Sequence, residues 1–433
     1  MNRWLLVVLF SSLFFTCSNT ATKKRRTHRE ELETYFNTLH TLKKLNGVLY
    51  VMEQGNVLMC EAYNLNNDPQ SSTFVSTESQ FDIHSISKLM ARYIVEKFEL
   101  EGKLEKSNTL LSFIPDFPNG DKITLGMLLN HSSGLPRSFE ETQKTAISLN
   151  SKEILDLAKQ QELQFSPGSA KQYSNIAYEI VYYILEQIAQ KPFAQIVQDE
   201  LFTPLQMTNS GAHFFGNSLN LHQWAKNHEK DDENILRVPN INDDELKTAR
   251  LFSTSHDLHK FLTHLKESPI ASLLQNEQAI IEKSGGSDGI RAEVYLDLKN
   301  DFHFILLANY DAIPFQKTVA DIANILNDQE YTLPQVVTRK AIDLSEQQLA
   351  PYTGSYVFPD MGNLILMISS DKKRLILSQE GTQIASLKAE SETVFFDDPT
   401  EAESFEFIEN SEGSFDVLMG WKGVQLKGIR IEK

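Results

Sequence analysis

Ser85 and Lys88 stand three residues apart in the stretch FDIHSISKLM, Phe81 to Met90. At the start of a helix such a pair shares one face, so the hydroxyl and the amine can come within hydrogen-bonding reach. A lysine stripped of its hydration gives up a proton readily, and the neutral amine can then take the serine proton and make a nucleophile. The ordinary reading of the same residues is a serine that caps a helix and a first-turn lysine. Spacing alone does not choose between them. It recurs at Ser369-Ser370-Asp371-Lys372 and at Ser370-Asp371-Lys372-Lys373, between the apolar runs LILMI and RLIL, where the polar cluster reads as a hairpin turn.

Two further groups belong to the same chemistry. Tyr173-Ser174-Asn175 follows the turn residues Ser166-Pro167-Gly168-Ser169 and opens an apolar helical run. A tyrosine beside a cation ionises more easily and can relay protons. The same spacing occurs at Tyr35-Phe36-Asn37, inside a helical pattern, so it too is not decisive by itself. Lys283-Ser284-Gly285, followed by Gly286, lies at a strand edge. Glycine there lets a substrate approach the backbone and leaves an N–H free to bind an oxyanion.

The elements that must position these residues can be read from periodicity. GVLYVMEQGNVLMCEAY, Gly47 to Tyr63, reads as a hairpin turning at Gln54-Gly55-Asn56. A helical segment precedes it, from Arg29 to Leu45. Ile86, Leu89, Met90, Tyr93, Ile94 and Phe98 recur at helical spacing, which predicts a buried helix directly after Ser85. A long helical region follows, from Leu104 to about Ser272, and strands return at AEVYLDL and FHFILLANY before a helix at TVADIANIL. This order predicts an α+β domain of the α/β sandwich type, an antiparallel sheet built from both ends of the segment with a large helical insertion. From Leu344 onward about eight short β-runs without intervening helices predict a small closed barrel or sandwich.

Taken together and in order, the three motifs resemble those of the penicillin-recognising serine hydrolases: the class C β-lactamases, the DD-peptidases and related esterases. The connecting text is similar as well, at ITLGMLLNHSSGLP, FTPLQMTNS, FSTSHDLHKFL and FILLANYD. The resemblance, which runs from about Gly47 to Leu326, implies an acyl-enzyme mechanism that needs no metal or organic cofactor. It makes Ser85 the nucleophile, Lys88 its activating amine and Tyr173 the base or proton relay. Asn175 would orient Lys88 and the substrate amide, and Lys283 would hold Tyr173 electrostatically. Lys283, Ser284 and Gly285 would bind substrate, and the N–H groups of Ser85 and Gly286 would form the oxyanion hole. His131 would belong to a structural turn, and His256, His259 and His264 to a solvated helix face. Two departures stand out: His84 replaces a small residue before the nucleophile, and Ala249-Arg250-Leu251 replaces glycines. The implied substrate is an ester or amide, with a D-amino-acid peptide as one candidate, either a small molecule or a peptidoglycan-related compound. A true β-lactamase and a non-catalytic binding protein are the alternatives. The C-terminal β-region resembles the lipocalin-like barrels appended to some of these hydrolases.

The 433-residue chain carries a net charge of −17, which argues against nucleic-acid binding because that depends on neutralising phosphates with Lys and Arg. The apolar run Trp4 to Phe15 is too short to span a bilayer and fits a secretory signal. Cys17 at its end resembles a bacterial lipoprotein signal, although Phe14, Phe15 and Thr16 replace the usual small residues. That resemblance implies an exported protein of the bacterial periplasm or cell envelope, held at a membrane by a lipid on Cys17, with only Cys60 left in the mature chain. The expected division is 1–17 signal, 18–28 tether, 29–330 hydrolase domain and 343–433 barrel domain. The sequence leaves the oligomeric state open.

Overall fold

The computed structural model describes residues 26–139, 151–214, 217–218, 223–230, 236–237, 250–287, 289–310, 312–361, 363–371, 373–379, 382–399, 402–421 and 424–431. The segment expected to be a signal, with Cys17, lies outside the described residues.

A five-stranded antiparallel sheet forms the centre, in the order Asn56–Tyr63, Gly47–Glu53, Phe302–Ala308, Ile290–Asp297, Ile280–Ser287. The first two strands are joined through Gln54 and Gly55, whose φ values of 48° and 77° are what a tight type I′ hairpin requires. The N-terminal hairpin pairs with a strand from far along the chain, with Gly47 opposite Ala308 and Glu53 opposite Phe302. The sheet thus combines both ends of the segment, as the sequence predicts.

Both faces of the sheet are covered, so its middle strand FHFILLA is buried throughout rather than alternating. Leu49, Val51, Phe304 and Leu306 face the His28–Thr41 and Phe315–Leu326 helices, which contribute Leu32, Phe36, Leu39, Ile322 and Ile325. Val48, Tyr50, Val294, Ile305 and Leu307 face the opposite core, with the Ile86–Leu100 and Ser255–Glu267 helices. Each fully buried side chain of this kind contributes about 1.5–3 kcal/mol. Ile86, Leu89, Met90, Tyr93, Ile94 and Phe98 are all buried, which fixes the rotation of the helix that follows Ser85.

The insertion is not wholly helical. Three of its very short strands join Phe81–Asp82, which precedes it, in a four-stranded sheet ordered Phe81–Asp82, Arg250–Ser253, Gly211–Phe214, Asn217–Ser218. Strands of two to four residues are too brief for an alternating pattern to appear in the sequence. Phe81 pairs with Ser253 and Asp82 with Phe252, which anchors the chain just before Ser85.

From Gly354 to Ile431 eight antiparallel strands close into a barrel. Tyr356, Phe395 and Phe407 are fully or almost fully buried inside it, so side chains fill the interior. The serines of the two other serine-lysine matches lie at the end of the Leu364–Asp371 strand, which pairs with Arg374–Gln379 as expected; Lys372 lies outside the described residues. No helix among the described residues is long and apolar enough to cross a membrane.

Candidate active site

Ser85 occupies the N-cap position of the Ile86–Leu100 helix, yet its side chain makes no capping hydrogen bond. That removes the ordinary reading of the pair. Its Oγ instead accepts from Lys88 Nζ at 3.0 Å and from the Tyr173 hydroxyl at 2.9 Å. Lys88 is 8% exposed, and its ammonium lies 5.3 Å from the Tyr173 ring centre and 5.7 Å from that of Tyr178.

Tyr173 is positioned by the Asn130–Gly134 turn. His131 O accepts from Gln172 N, and His131 Nδ1 accepts from Ser174 N at 3.2 Å. The His131 ring packs 4.4 Å from that of Tyr173, centre to centre. Burial, reinforced by the charges of Lys283, Lys88 and Arg92, pushes the His131 imidazole down to about 4. A neutral ring whose Nδ1 lone pair is already engaged suits a structural role, in line with the turn reading. Ser174 is the helix cap, accepting from Ala177 N and donating to Pro136 O.

The Ile280–Ser287 strand brings the third motif to the sheet edge, where alternate backbone groups have no neighbouring strand. Lys283 Nζ lies 5.1 Å from the Tyr173 ring centre. Burial tends to raise the Tyr173 phenol, but the charges of Lys88 and Lys283 and the hydrogen bonds to Ser85 and Lys88 outweigh it, and the net shift is downward. Lys283 is itself lowered, mainly by burial. Two cations around one phenol therefore favour its ionised form.

Gly285 permits the close approach on which the site depends. A Cβ there would lie 2.5 Å from Ile83 O and 2.9 Å from Ser85 N, both backbone atoms. Any larger residue would force the strand away from the nucleophile. No acceptor among the described residues takes the Ser85 N–H, and Gly286, which follows Gly285 along the strand, is exposed.

The structure thus gathers Ser85, Lys88, Tyr173, Lys283, Gly285 and Gly286. Asn175 opens the Asn175–Ala189 helix nearby, but its amide nitrogen donates to Ser138 Oγ at 3.3 Å, and Lys88 Nζ donates to Ser85 Oγ rather than to the Asn175 carbonyl oxygen. Ser284 donates to Glu293 Oε2 across the strand pair. His84 adopts φ 42°, a left-handed conformation that costs a non-glycine residue about 1–2 kcal/mol. Leu251, in the second departure, is buried, and its carbonyl accepts from Ile83 N.

The solvated-face expectation is corrected for His259 and His264, while the His256 side chain stays 41% exposed. His259 stacks on Tyr50 at 4.8 Å and lies 2.9 Å from His303, while His264 bonds the Tyr93 hydroxyl at 2.7 Å. Their helix lies on the sheet, and these side chains fill the join. Among the described residues no group of three or more such side chains could hold a metal.

Sequence reasoning missed Glu293. It is 1% exposed, and its Oε1 has no hydrogen-bond partner among the described residues. Burial pushes its carboxyl from 4.5 up to about 8; Glu282 adds to the rise, while Ser284 and Lys283 oppose it. The folded state then binds the proton more tightly than the unfolded chain, so this contribution is complete below the ordinary carboxyl value and is lost as pH rises toward 8. At about 1.4 kcal/mol per pH unit, Glu293→Gln should stabilise the protein by a few kcal/mol at pH 8 and by little at pH 4.5. Urea midpoints at the two pH values check this; equal shifts at both would remove Glu293 from the account.

Fold and site define a serine hydrolase of the penicillin-recognising type. The chain belongs to the Beta-lactamase family, whose model matches residues 36–294. Penicillin-binding protein 4* of Bacillus subtilis is 23% identical over 426 residues, covering 86% of this chain and 92% of its own. The octameric penicillin-binding protein homologue from Pyrococcus abyssi shares the fold at a TM-score of 0.58 and 16% identity, covering 92% of this chain and 99% of that one. The D-amino acid amidase of Ochrobactrum anthropi, solved with L-phenylalanine amide, does so at 0.57 and 17%, covering 69% and 98%.

Proposed function

We propose that the protein cleaves an ester or amide, with a D-amino-acid amide or peptide as the preferred class, through an acyl-enzyme on Ser85. The observation that carries this is the convergence of Lys88 Nζ and the Tyr173 hydroxyl on the one oxygen of Ser85, at the uncapped start of a buried helix. Whichever of the two is deprotonated takes the Ser85 proton as Oγ attacks the carbonyl carbon. The oxyanion forms against the N–H groups of Ser85 and Gly286, each worth about 3 kcal/mol in the transition state. The same relay protonates the departing amine or alkoxide. Water then adds to the acyl carbonyl and returns Ser85.

Lys283 sustains the ionised phenol and, with Ser284, would bind a substrate carboxylate, while Asn175 would orient the substrate amide. The D-amino-acid class is supported by the named activity of the amidase neighbour and by the penicillin-binding relatives. Residues 1–17 are read as an export signal with Cys17 lipidated and 18–28 as a tether. This places the 29–330 hydrolase domain and the 343–433 lipocalin-like barrel at the cell envelope, where the substrate would be a peptidoglycan-related fragment.

A panel of D- and L-amino-acid p-nitroanilides, p-nitrophenyl esters and acyl-D-Ala-D-Ala tests the reading. Turnover of D-amino-acid substrates at ten times or more the L rate is expected. Turnover confined to nitrocefin would make the protein a β-lactamase, and no turnover with no covalent adduct would leave a binding protein.

A further inference from the structure

We propose that His84 and Ser287 form a clasp that sets the spacing of the two oxyanion donors, which makes both of them positioning residues. The inference rests on the reading of Ser85 and Gly286 as those donors. Each clasp residue is the chain neighbour of one donor: His84 precedes Ser85, and Ser287 follows Gly286. Their side chains meet, with His84 Nε2 2.9 Å from Ser287 Oγ. This contact joins the two separate elements that supply the hole, the nucleophile turn and the edge strand.

The His84 side of the clasp is itself anchored. Asp82 is 1% exposed and lies on the short strand paired with Phe252. Its Oδ1 accepts from His84 N at 2.8 Å, and its Oδ2 lies 3.5 Å from His84 Nε2. The imidazole is therefore held over the strand end while its backbone takes the left-handed conformation. The Ser287 side lies on the edge strand, which has no sheet neighbour beyond it; Ser287 pairs with Ile290 and its carbonyl accepts from the Arg291 guanidinium. Gly285 brings the two segments into van der Waals contact, with a virtual Cβ 3.1 Å from His84 Cβ. That contact sets the minimum separation, and the hydrogen bond prevents it from widening. A small residue at position 84 could satisfy the backbone but could not span to Ser287.

The test compares His84→Gly, which keeps the left-handed backbone accessible, with Ser287→Ala, which leaves that backbone untouched, with their double variant and with Ser287→Thr. Two readouts apply: kcat and KM on a p-nitrophenyl ester, and the rate of Ser85 labelling by a fluorophosphonate, whose tetrahedral adduct occupies the oxyanion hole. Each single variant is expected to lower kcat and the labelling rate about 10- to 100-fold, less than the loss of a whole donor. KM should stay within about twofold, the double variant should be no worse than the poorer single one, and Ser287→Thr should keep near wild-type rates. Wild-type rates in Ser287→Ala, or losses that multiply in the double variant, would overturn the clasp while leaving the hydrolase reading intact. Wild-type protein that shows no Ser85-dependent labelling would overturn both.

Discussion

Ser85→Ala should lower kcat/KM on the best ester or amide substrate on the order of 10⁴-fold or more, with little change in stability. The hydroxyl oxygen is an acceptor for Lys88 and Tyr173 and caps nothing, so its removal takes away the reacting atom and no helix bond. Lys88→Met should fall on the same scale, and the double variant should be no worse than Ser85→Ala because the pair acts as a unit. Steady-state rates with intact-mass detection of the acyl adduct decide the matter. Residual activity above about one hundredth of wild type, or an adduct on another residue, would move the nucleophile away from Ser85.

Tyr173→Phe should reduce kcat about 10²- to 10⁴-fold and also change the pH profile. If the phenolate is the base, activity rises with pH as the phenol ionises. The two flanking cations lower that ionisation, so the rising limb should lie below the ordinary phenol value of 10. Tyr173→Phe should remove the limb. Lys283→Met takes away one of the charges favouring the phenolate, so it should move the limb to higher pH. A limb unmoved by Lys283→Met would mean that another group titrates.

The parts of this arrangement that were legible in the sequence are those written as long periodic runs or fixed triplets. The helix after Ser85 declared itself through six apolar positions at helical spacing, and the eight barrel strands through repeated short β-runs. The motif residues were also visible, and the structure brings Ser85, Lys88, Tyr173 and Lys283 to one point. Three features were not. Phe81–Asp82 and its partners are too short to carry a period, although they anchor the nucleophile turn. Glu293 looks like any polar residue on an alternating strand, and only pairing opposite Ser284 shows that it is buried. The histidines of the Ser255–Glu267 helix read as polar, whereas their partners Tyr50, Tyr93 and His303 come from distant segments that no local pattern connects.

The pairing of Gly47 with Ala308 has a consequence for how the chain acquires its shape. A growing chain has made Ser85, Lys88 and Tyr173 long before it makes the strand that carries Lys283 or the one that closes the sheet. The hairpin at the start must wait with its apolar rows uncovered until residues beyond 308 emerge. Folding therefore depends on long-range closure, which is slow and leaves the early segment open to chaperones. Ser85, Lys88 and Tyr173 come to lie beside Lys283 only after the Ile280–Ser287 strand has been made, so the four side chains meet late in synthesis.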